Sequence, residues 1–195
     1  MMKTIGLIIT TFFLLCSFSP KSHAAVIINA IESGGDVIFS ASGSFDLGGV
    51  SHSAIVFAVP GIAPTIDGRR VRVGGAVGGV SIDIYRSLSF VPPSGPFGTG
   101  PGFISPDSVT GDSFGIDLNS ISVPAGYISG TALAGTMTFA GETFSSLGIT
   151  EGTYQWTWGS GGNADSLTLN ISPEPSRAFL TISGLALLVF RRRRN

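Results

Sequence analysis

Apolar and polar side chains alternate along much of this 195-residue chain, in short runs separated by glycine. In residues 79 to 86, valine and isoleucine occupy every second position, and in residues 166 to 171 leucine and isoleucine do the same. A β-strand points successive side chains to opposite faces of its sheet, so a period of two indicates strands with one buried face and one solvated face. No sustained helical period is seen between residues 25 and 172.

This period predicts about nine strands between the two ends of the chain. Their ranges are 26–31, 37–45, 53–59, 71–73, 79–86, 114–121, 131–139, 153–158 and 166–171. The 28 glycines, about twice the average share, supply turns between them. We therefore expect one all-β domain over residues 25–172, an antiparallel β-sandwich or jelly roll whose dry faces close against one another.

Residues 91 to 106 interrupt this pattern with five prolines among glycines. Each proline lacks the backbone N–H that a sheet ladder needs, so the segment cannot be an interior strand. We predict a long exposed loop between the two halves of the domain.

The last 23 residues have a different composition. Pro173, Glu174 and Pro175 precede an uncharged apolar run, residues 178–190, and four consecutive arginines, Arg191, Arg192, Arg193 and Arg194. As a helix the run is only about 20 Å long, against ~30 Å of hydrocarbon, so it predicts a short transmembrane span. The arginines hold their side in the cytoplasm and place the preceding domain outside.

This ending resembles the PEP-CTERM sorting signal of Gram-negative bacteria, because all three of its parts stand in the family's order: the Pro-Glu-Pro motif, the apolar helix and the basic cluster. The resemblance implies recognition of Pro173, Glu174 and Pro175 by an exosortase, a membrane-embedded processing enzyme. It further implies removal of the helix and transfer of the domain to the cell envelope, surface or extracellular matrix.

The first 24 residues are typical of a secretory signal peptide. Lys3 is followed by an apolar stretch, and small residues three and one before the junction predict cleavage between Ala24 and Ala25. Cleavage there removes Cys16, the only cysteine, so the exported domain has no disulfide. The precursor is then expected in the inner membrane, with its domain outside and its C-terminus in the cytoplasm.

Charge and composition restrict the chemistry of residues 25–172. Four arginines stand against eleven acidic residues, a net charge of about −7, which gives no basic footprint for nucleic acid. His52 is the only histidine in this range, so metal sites with several imidazoles are excluded. We predict no catalytic residues, no metal site and no cofactor.

Four alternatives remain open at this level. His52 could anchor a serine triad, although a residue at a strand edge is the simpler interpretation. Glu32, Glu142 and Glu151 could supply the carboxylate pair of a polysaccharide hydrolase. Asp107, Asp112 and Asp117 could bind calcium or simply form turns. Tyr154, Trp156 and Trp158 share one strand face, and could either stack on sugar rings or fill the core.

The sequence therefore favours a non-enzymatic envelope or matrix protein that an exosortase sorts. The alternatives are a carbohydrate-binding sandwich that uses Tyr154, Trp156 or Trp158, and a polysaccharide hydrolase. The expected partners are the exosortase, the membrane in the precursor, and an exopolysaccharide.

Overall fold

The computed structural model describes residues 25–65 and 69–173, which are almost entirely β-structure. Helix in these residues is limited to one short α-helix, α1 (Phe144–Leu147), and two single 3-10 turns (Leu47–Gly49 and Gly161–Asn163). The strands are β1 (Ala25–Ser33), β2 (Asp36–Gly43), β3 (Ser51–Ala58), β4 (Gly61–Ala63), β5 (Arg70–Val73), β6 (Val80–Arg86), β7 (Ser108–Gly111), β8 (Phe114–Asp117), β9 (Ser120–Pro124), β10 (Leu133–Phe139), β11 (Gly152–Trp158) and β12 (Asp165–Ile171).

Two six-stranded sheets pack as a sandwich, which confirms the predicted fold class. Sheet 1 has the order β11-β12-β1-β2-β10-β7, and sheet 2 has the order β3-β6-β9-β8-β5-β4. Alternate residues of sheet 1 fill the core: Val26, Ile28 and Ala30 of β1 are completely buried, whereas Ile27 between them is 47% exposed. Phe45, just after β2, packs edge to face on Phe114 of β8 at 6.3 Å and so connects the two sheets.

The structure has three more strands than the nine expected. The predicted strand 114–121 is two strands, because Leu118 takes a left-handed φ of 52° and turns the chain between β8 and β9. The sequence contained a signal for this turn, because the apolar residues change from even-numbered positions, Phe114 and Ile116, to odd-numbered positions, Ile121 and Val123. The strands β4 and β7 were missed because they are short and, unlike β5 with Val71 and Val73, do not have two large apolar residues in alternation.

The sandwich is not purely antiparallel, because β1 and β12 pair in parallel, from Ala25 opposite Ser166 to Ala30 opposite Ile171. Alternation along a strand is the same for parallel and antiparallel neighbours, so the sequence pattern carries no information on this point. The domain's first strand thus lies beside its last, inside sheet 1.

Sheet 2 is strongly curled. Only three peptide steps, at most about 11 Å, lead from Ala58 at the end of β3 to Gly61 at the start of β4. These strands are the two opposite edges of the sheet, which would stand roughly 24 Å apart if the sheet were flat. Val71 and Val73 of β5 belong to the core between the sheets, so Arg72 lies on the opposite face. Arg72 donates a hydrogen bond (3.1 Å) to the carbonyl of Val59 in this connection, so the concave side faces away from sheet 1.

The curl explains a departure in β6. The alternation predicted a dry face with Val80, Ile82 and Ile84 and a wet face with Asp83. Ile82 and Ile84 are buried, but on the concave side of sheet 2. Ile84 lies opposite Ser122 in the register, and the hydroxyl of Ser122 bonds to Arg72 on that side. Asp83 lies opposite Val123, on the side that faces sheet 1, and is only 6% exposed. The predicted wet face is therefore wrong at Asp83, because both faces of this strand are covered.

The proline-rich segment 91–106 is a strap between the sheets. Val91 exchanges two backbone hydrogen bonds with Thr157 of β11, and Ile104 does the same with Ile62 of β4. Between them, Phe97 is completely buried, and its ring lies edge to face on Trp156 at 6.5 Å. The expectation of an exposed loop is thus wrong at Phe97: prolines exclude a ladder, but they do not prevent an apolar side chain between them from entering the core.

Within residues 25–65 and 69–173, no helix is long and apolar enough to cross a membrane. The predicted transmembrane span, residues 178–190, lies outside these residues.

Candidate functional site

Most of the predicted processing residues lie outside the described part of the chain. These are Ala24, Glu174, Pro175, Arg191, Arg192, Arg193 and Arg194. Ala25, the predicted new N-terminus, is the first residue of β1. At the other end, Ser172 donates its backbone N–H to the carbonyl of Ala30 at 3.1 Å, and Pro173 follows as an exposed residue.

The two tryptophans of the proposed sugar platform lie in the core. Trp156 is 0% exposed and Trp158 2%, whereas Tyr154 is partly buried. The ring of Trp158 is stacked on Phe90 at 5.8 Å, with an angle of 8° between the planes. Because their faces are covered by other side chains, Trp156 and Trp158 have no surface on which a sugar ring could stack. Of the two interpretations of this strand face, only the core role fits these two residues.

His52 lies near the open edge of sheet 2 and contacts a buried carboxylate. Its Nε2 is 3.2 Å from Oδ1 of Asp83, and its side chain is 47% exposed. The second oxygen of Asp83 accepts the backbone N–H of Gly126 at 2.8 Å. Among the described residues, no serine or threonine hydroxyl hydrogen-bonds to the imidazole, so the pair lacks the nucleophile of a triad.

Each of the three aspartates considered for calcium has its own hydrogen-bond or ion-pair partners. Asp107 accepts the N–H of Ala140 at 2.8 Å, and Asp112 accepts the N–H of Ala134 at 3.0 Å. Asp117 pairs with arginines instead. In the described part of the chain, no three acidic or histidine side chains are grouped so that they could hold a metal ion.

Two of the three candidate glutamates meet the start of α1. Glu32 accepts the backbone N–H of Phe144, and Glu142 accepts the hydroxyl of Ser146. Thr143 and Ser146 complete a capping box at this helix end, with hydrogen bonds of 3.1 and 2.8 Å. These carboxylates therefore satisfy backbone and hydroxyl donors at a helix terminus, where negative charge is favourable. Among the described residues, the Glu151 carboxylate makes no hydrogen bond to this helix start and does not join Glu32 or Glu142 there.

The most distinctive polar group lies on the concave side of sheet 2. We call it the arginine mouth, and it consists of Arg70 and Arg72 on β5, Arg86 on β6, Asp117 on β8 and Ser120 on β9. The register explains the grouping, because Arg70, Asp117, Ser120 and Arg86 follow one another across four paired strands on one face. Residues far apart in sequence thus form one continuous polar row.

Arg72 forms the floor of the arginine mouth, with a side chain only 2% exposed. It donates through Nε to the hydroxyl of Ser122 at 3.2 Å, and through Nη1 to the carbonyl of Val59 at 3.1 Å. Gly115 lies opposite Arg72 in the register, and a Cβ at this glycine would come within 2.0 Å of the Val71 carbonyl, so only glycine permits this close approach of β5 and β8. Burial lowers the pKa of Arg72 to about 10 despite the opposing effect of Asp117, so the group stays charged at neutral pH.

The rim of the arginine mouth has more positive than negative charge. Arg70 is 2.7 Å from Oδ2 of Asp117, and Arg72 is 3.4 Å from the same oxygen. Arg86 is exposed, and its side chain makes no hydrogen bond or ion pair with any described residue. Three guanidinium groups therefore face one carboxylate in a domain that is otherwise strongly acidic.

Two adjoining depressions open at this point. The larger, of about 1090 Å³, is lined by Arg70, Arg86, Asp117 and neutral residues that include Ser87, Ser89, Leu88, Leu118 and Asn119. The smaller, of about 400 Å³, reaches Arg72 and the apolar segment 56–59. Fixed guanidinium groups next to hydroxyl, amide and apolar side chains can bind an anion that is part of a larger polar molecule.

The sequence reasoning did not find the arginine mouth, although a signal was present. All four arginines of residues 25–172 lie between positions 69 and 86, and Arg70 and Arg72 alternate with valines within one strand. The convergence of Arg86 and Asp117 depends on strand pairing.

Comparison of the chain with known protein families, curated proteins and solved structures finds no match.

Proposed function

We propose that this chain is an exported, non-enzymatic protein of the cell envelope or extracellular matrix, sorted by an exosortase through its C-terminal PEP-CTERM-like signal. In this proposal, a jelly-roll-like domain over residues 25–172 is flanked by a cleavable signal peptide and a transmembrane sorting helix. The precursor lies in the inner membrane, and processing releases the domain to the envelope, surface or matrix.

One structural observation supports this proposal more than any other: the folded domain fits between the two predicted processing sites. Ala25, the residue after the predicted signal cleavage, is already paired in β1 opposite Ser166, and among the described residues Ser172 makes the last backbone hydrogen bond to the sheet. Pro173, the first residue of the Pro-Glu-Pro motif, follows at once and is exposed. A processing enzyme could therefore reach the motif without unfolding a strand.

The alternatives receive less support from the described residues. A carbohydrate platform at Tyr154, Trp156 and Trp158 would need open ring faces, and both tryptophans are buried. A hydrolase would need a free carboxylate pair, and Glu32 and Glu142 are engaged at the start of α1. Neither observation conflicts with a structural or binding role at the cell surface.

Intact-mass analysis of the exported protein tests the proposal. The expected mature form begins at Ala25 and lacks residues 178–195. In a matched experiment, Glu174→Gln changes only the motif and should leave the helix attached, whereas Glu151→Gln removes the same charge from an exposed turn of the domain and should be processed normally. A wild-type surface form that retains residues 178–195 would contradict processing by an exosortase.

A further inference from the structure

We propose that the arginine mouth is a binding site for an acidic saccharide, with Arg86 and Arg70 binding the carboxylate of a uronic acid residue. The site is distinct from the buried aromatic strand and does not depend on how the chain is sorted.

Charge is the first argument. Among the described residues that line the arginine mouth, Asp117 is the one carboxylate; it pairs with Arg70 and Arg72, whereas Arg86 has no ion pair, so these residues carry a local excess of about two positive charges. The domain as a whole carries about −7. A positive site on an acidic surface attracts an anion to one place.

The availability of donors is the second argument. Arg72 is held in place by Ser122, Val59 and Asp117, and it in turn fixes the position of Asp117 beneath Arg70. Arg86 has no partner among the described residues and projects at the rim. A guanidinium group with free parallel N–H donors binds a carboxylate through two hydrogen bonds.

The surroundings indicate what carries the carboxylate. The larger depression holds Ser87, Ser89 and Asn119, which can bond to hydroxyl groups, and the exposed side chains of Leu88 and Leu118, which can cover the apolar face of a sugar ring. Its volume of about 1090 Å³ accommodates several sugar rings.

An acidic peptide fits this place less well. Strands β5, β8, β9 and β6 form the floor of the arginine mouth, and each is already paired on both sides. An extended peptide binds most readily by adding a strand to an open sheet edge, and these four strands offer none. Recognition in the mouth must therefore use side chains, as it does for a compact hydroxylated ligand.

Isothermal titration of the purified full-length chain with hexagalacturonate tests the inference. The fully methyl-esterified hexamer has the same rings without the charges, and we expect it to bind at least about tenfold more weakly. Binding of the acid form should weaken as salt is raised. Equal binding of acid and ester, or no binding of the acid at millimolar concentration, would overturn the proposal.

Matched variants locate the site. Arg86→Gln removes a charge that makes no contact within the described fold, and should weaken hexagalacturonate binding about tenfold or more. Arg69→Gln removes the same charge beside β5, from a residue that bonds to the Pro93 carbonyl and lines neither depression, and should change binding less than about twofold. Circular dichroism checks that both variants are folded, and Arg86→Lys should retain part of the affinity. Equal effects of Arg86→Gln and Arg69→Gln would contradict a site at the arginine mouth.

Two further probes separate the saccharide from other anions. Hexaglutamate carries six carboxylates on a peptide, and inorganic phosphate carries charge without rings. The proposal requires hexagalacturonate to bind more tightly than either. If hexaglutamate bound as tightly, the site would be one for acidic peptides, and if phosphate did, it would be a simple anion site; either result overturns the assignment to a saccharide.

Discussion

At the scale of single residues, long-range polar contacts hold the loops of this domain together. Tyr127, in the connection between β9 and β10, donates its hydroxyl to the carbonyl of Thr131 at 2.6 Å and accepts the N–H of Phe45 at 3.0 Å. Phe45 lies 82 positions away in sequence and is fully buried. One phenol thus fixes the loop that leads from sheet 1 towards sheet 2.

Replacing Tyr127 with phenylalanine should lower the free energy of unfolding by about 1–2 kcal/mol, because the buried N–H of Phe45 loses its acceptor. Burial raises the pKa of Tyr127 above its ordinary value. A raised pKa in the folded state means that the contribution is complete below about pH 10, the ordinary value, and is lost as pH rises through the folded value. Urea unfolding at pH 8 and at high pH measures both effects. The difference between wild type and Tyr127→Phe should shrink at high pH, and a constant difference would contradict the role of the hydroxyl.

At the scale of elements, the strap of residues 91–106 decides how the sandwich is closed. It binds an edge strand of each sheet through backbone hydrogen bonds and inserts Phe97 against Trp156 and Tyr154. Trp156 of β11 is buried partly because Phe97 of this segment lies against it. In the sequence, prolines and glycines correctly excluded a strand here, but they could not show that one phenylalanine among them belongs to the core.

Phe97→Ala should therefore cost about 3–5 kcal/mol, the range for removing a buried phenylalanine. The matched control is Phe57→Ala on β3, where the ring is 70% exposed and the expected cost is below about 1 kcal/mol. Denaturant unfolding followed by tryptophan fluorescence measures both variants and reports directly on Trp156. Equal stability losses at the two positions would show that the strap does not contribute to the core.

At the scale of the whole molecule, the two ends of the domain support each other. The last described strand, β12, lies between β11 and β1. It is therefore an interior strand of sheet 1, next to the edge strand β11. Its buried residues Leu167, Leu169 and Ile171 are at most 2% exposed. We therefore expect the domain to become stable only after its last strand has been made.

Truncation tests this arrangement. A chain of residues 25–173 should unfold in one cooperative thermal transition, because it contains every described strand. A chain that ends at Ala164 lacks β12 and should show no cooperative transition, since the core face of β1 and the edge of β11 would both be exposed. A cooperative transition in the shorter chain would mean that sheet 1 does not need β12. Differential scanning calorimetry distinguishes these outcomes.

The fold class and most strand positions could be predicted from the sequence, because alternation is a local property that a strand displays by itself. The residues of β10 illustrate this, since Leu133, Met137 and Phe139, which share one face of the predicted strand 131–139, are at most 5% exposed. Strand boundaries were predicted less well where strands are short, as in β4 and β7, or where a tight turn interrupts a continuous pattern, as at Leu118.

The sequence by itself determined that residues 25–172 are an acidic, cysteine-free β-structure, with an apolar segment towards each end of the full chain, because composition and alternation do not depend on what packs against them. Only the tertiary structure decided which face each strand buries, that β1 and β12 are parallel, that sheet 2 curls, and that Phe97 enters the core. The same is true of the arginine mouth, which joins residues of four strands. The physical reason is that alternation shows only which side chains of a strand share one face of the sheet. Strand pairing and closure of the sheet determine which other residues pack against that face.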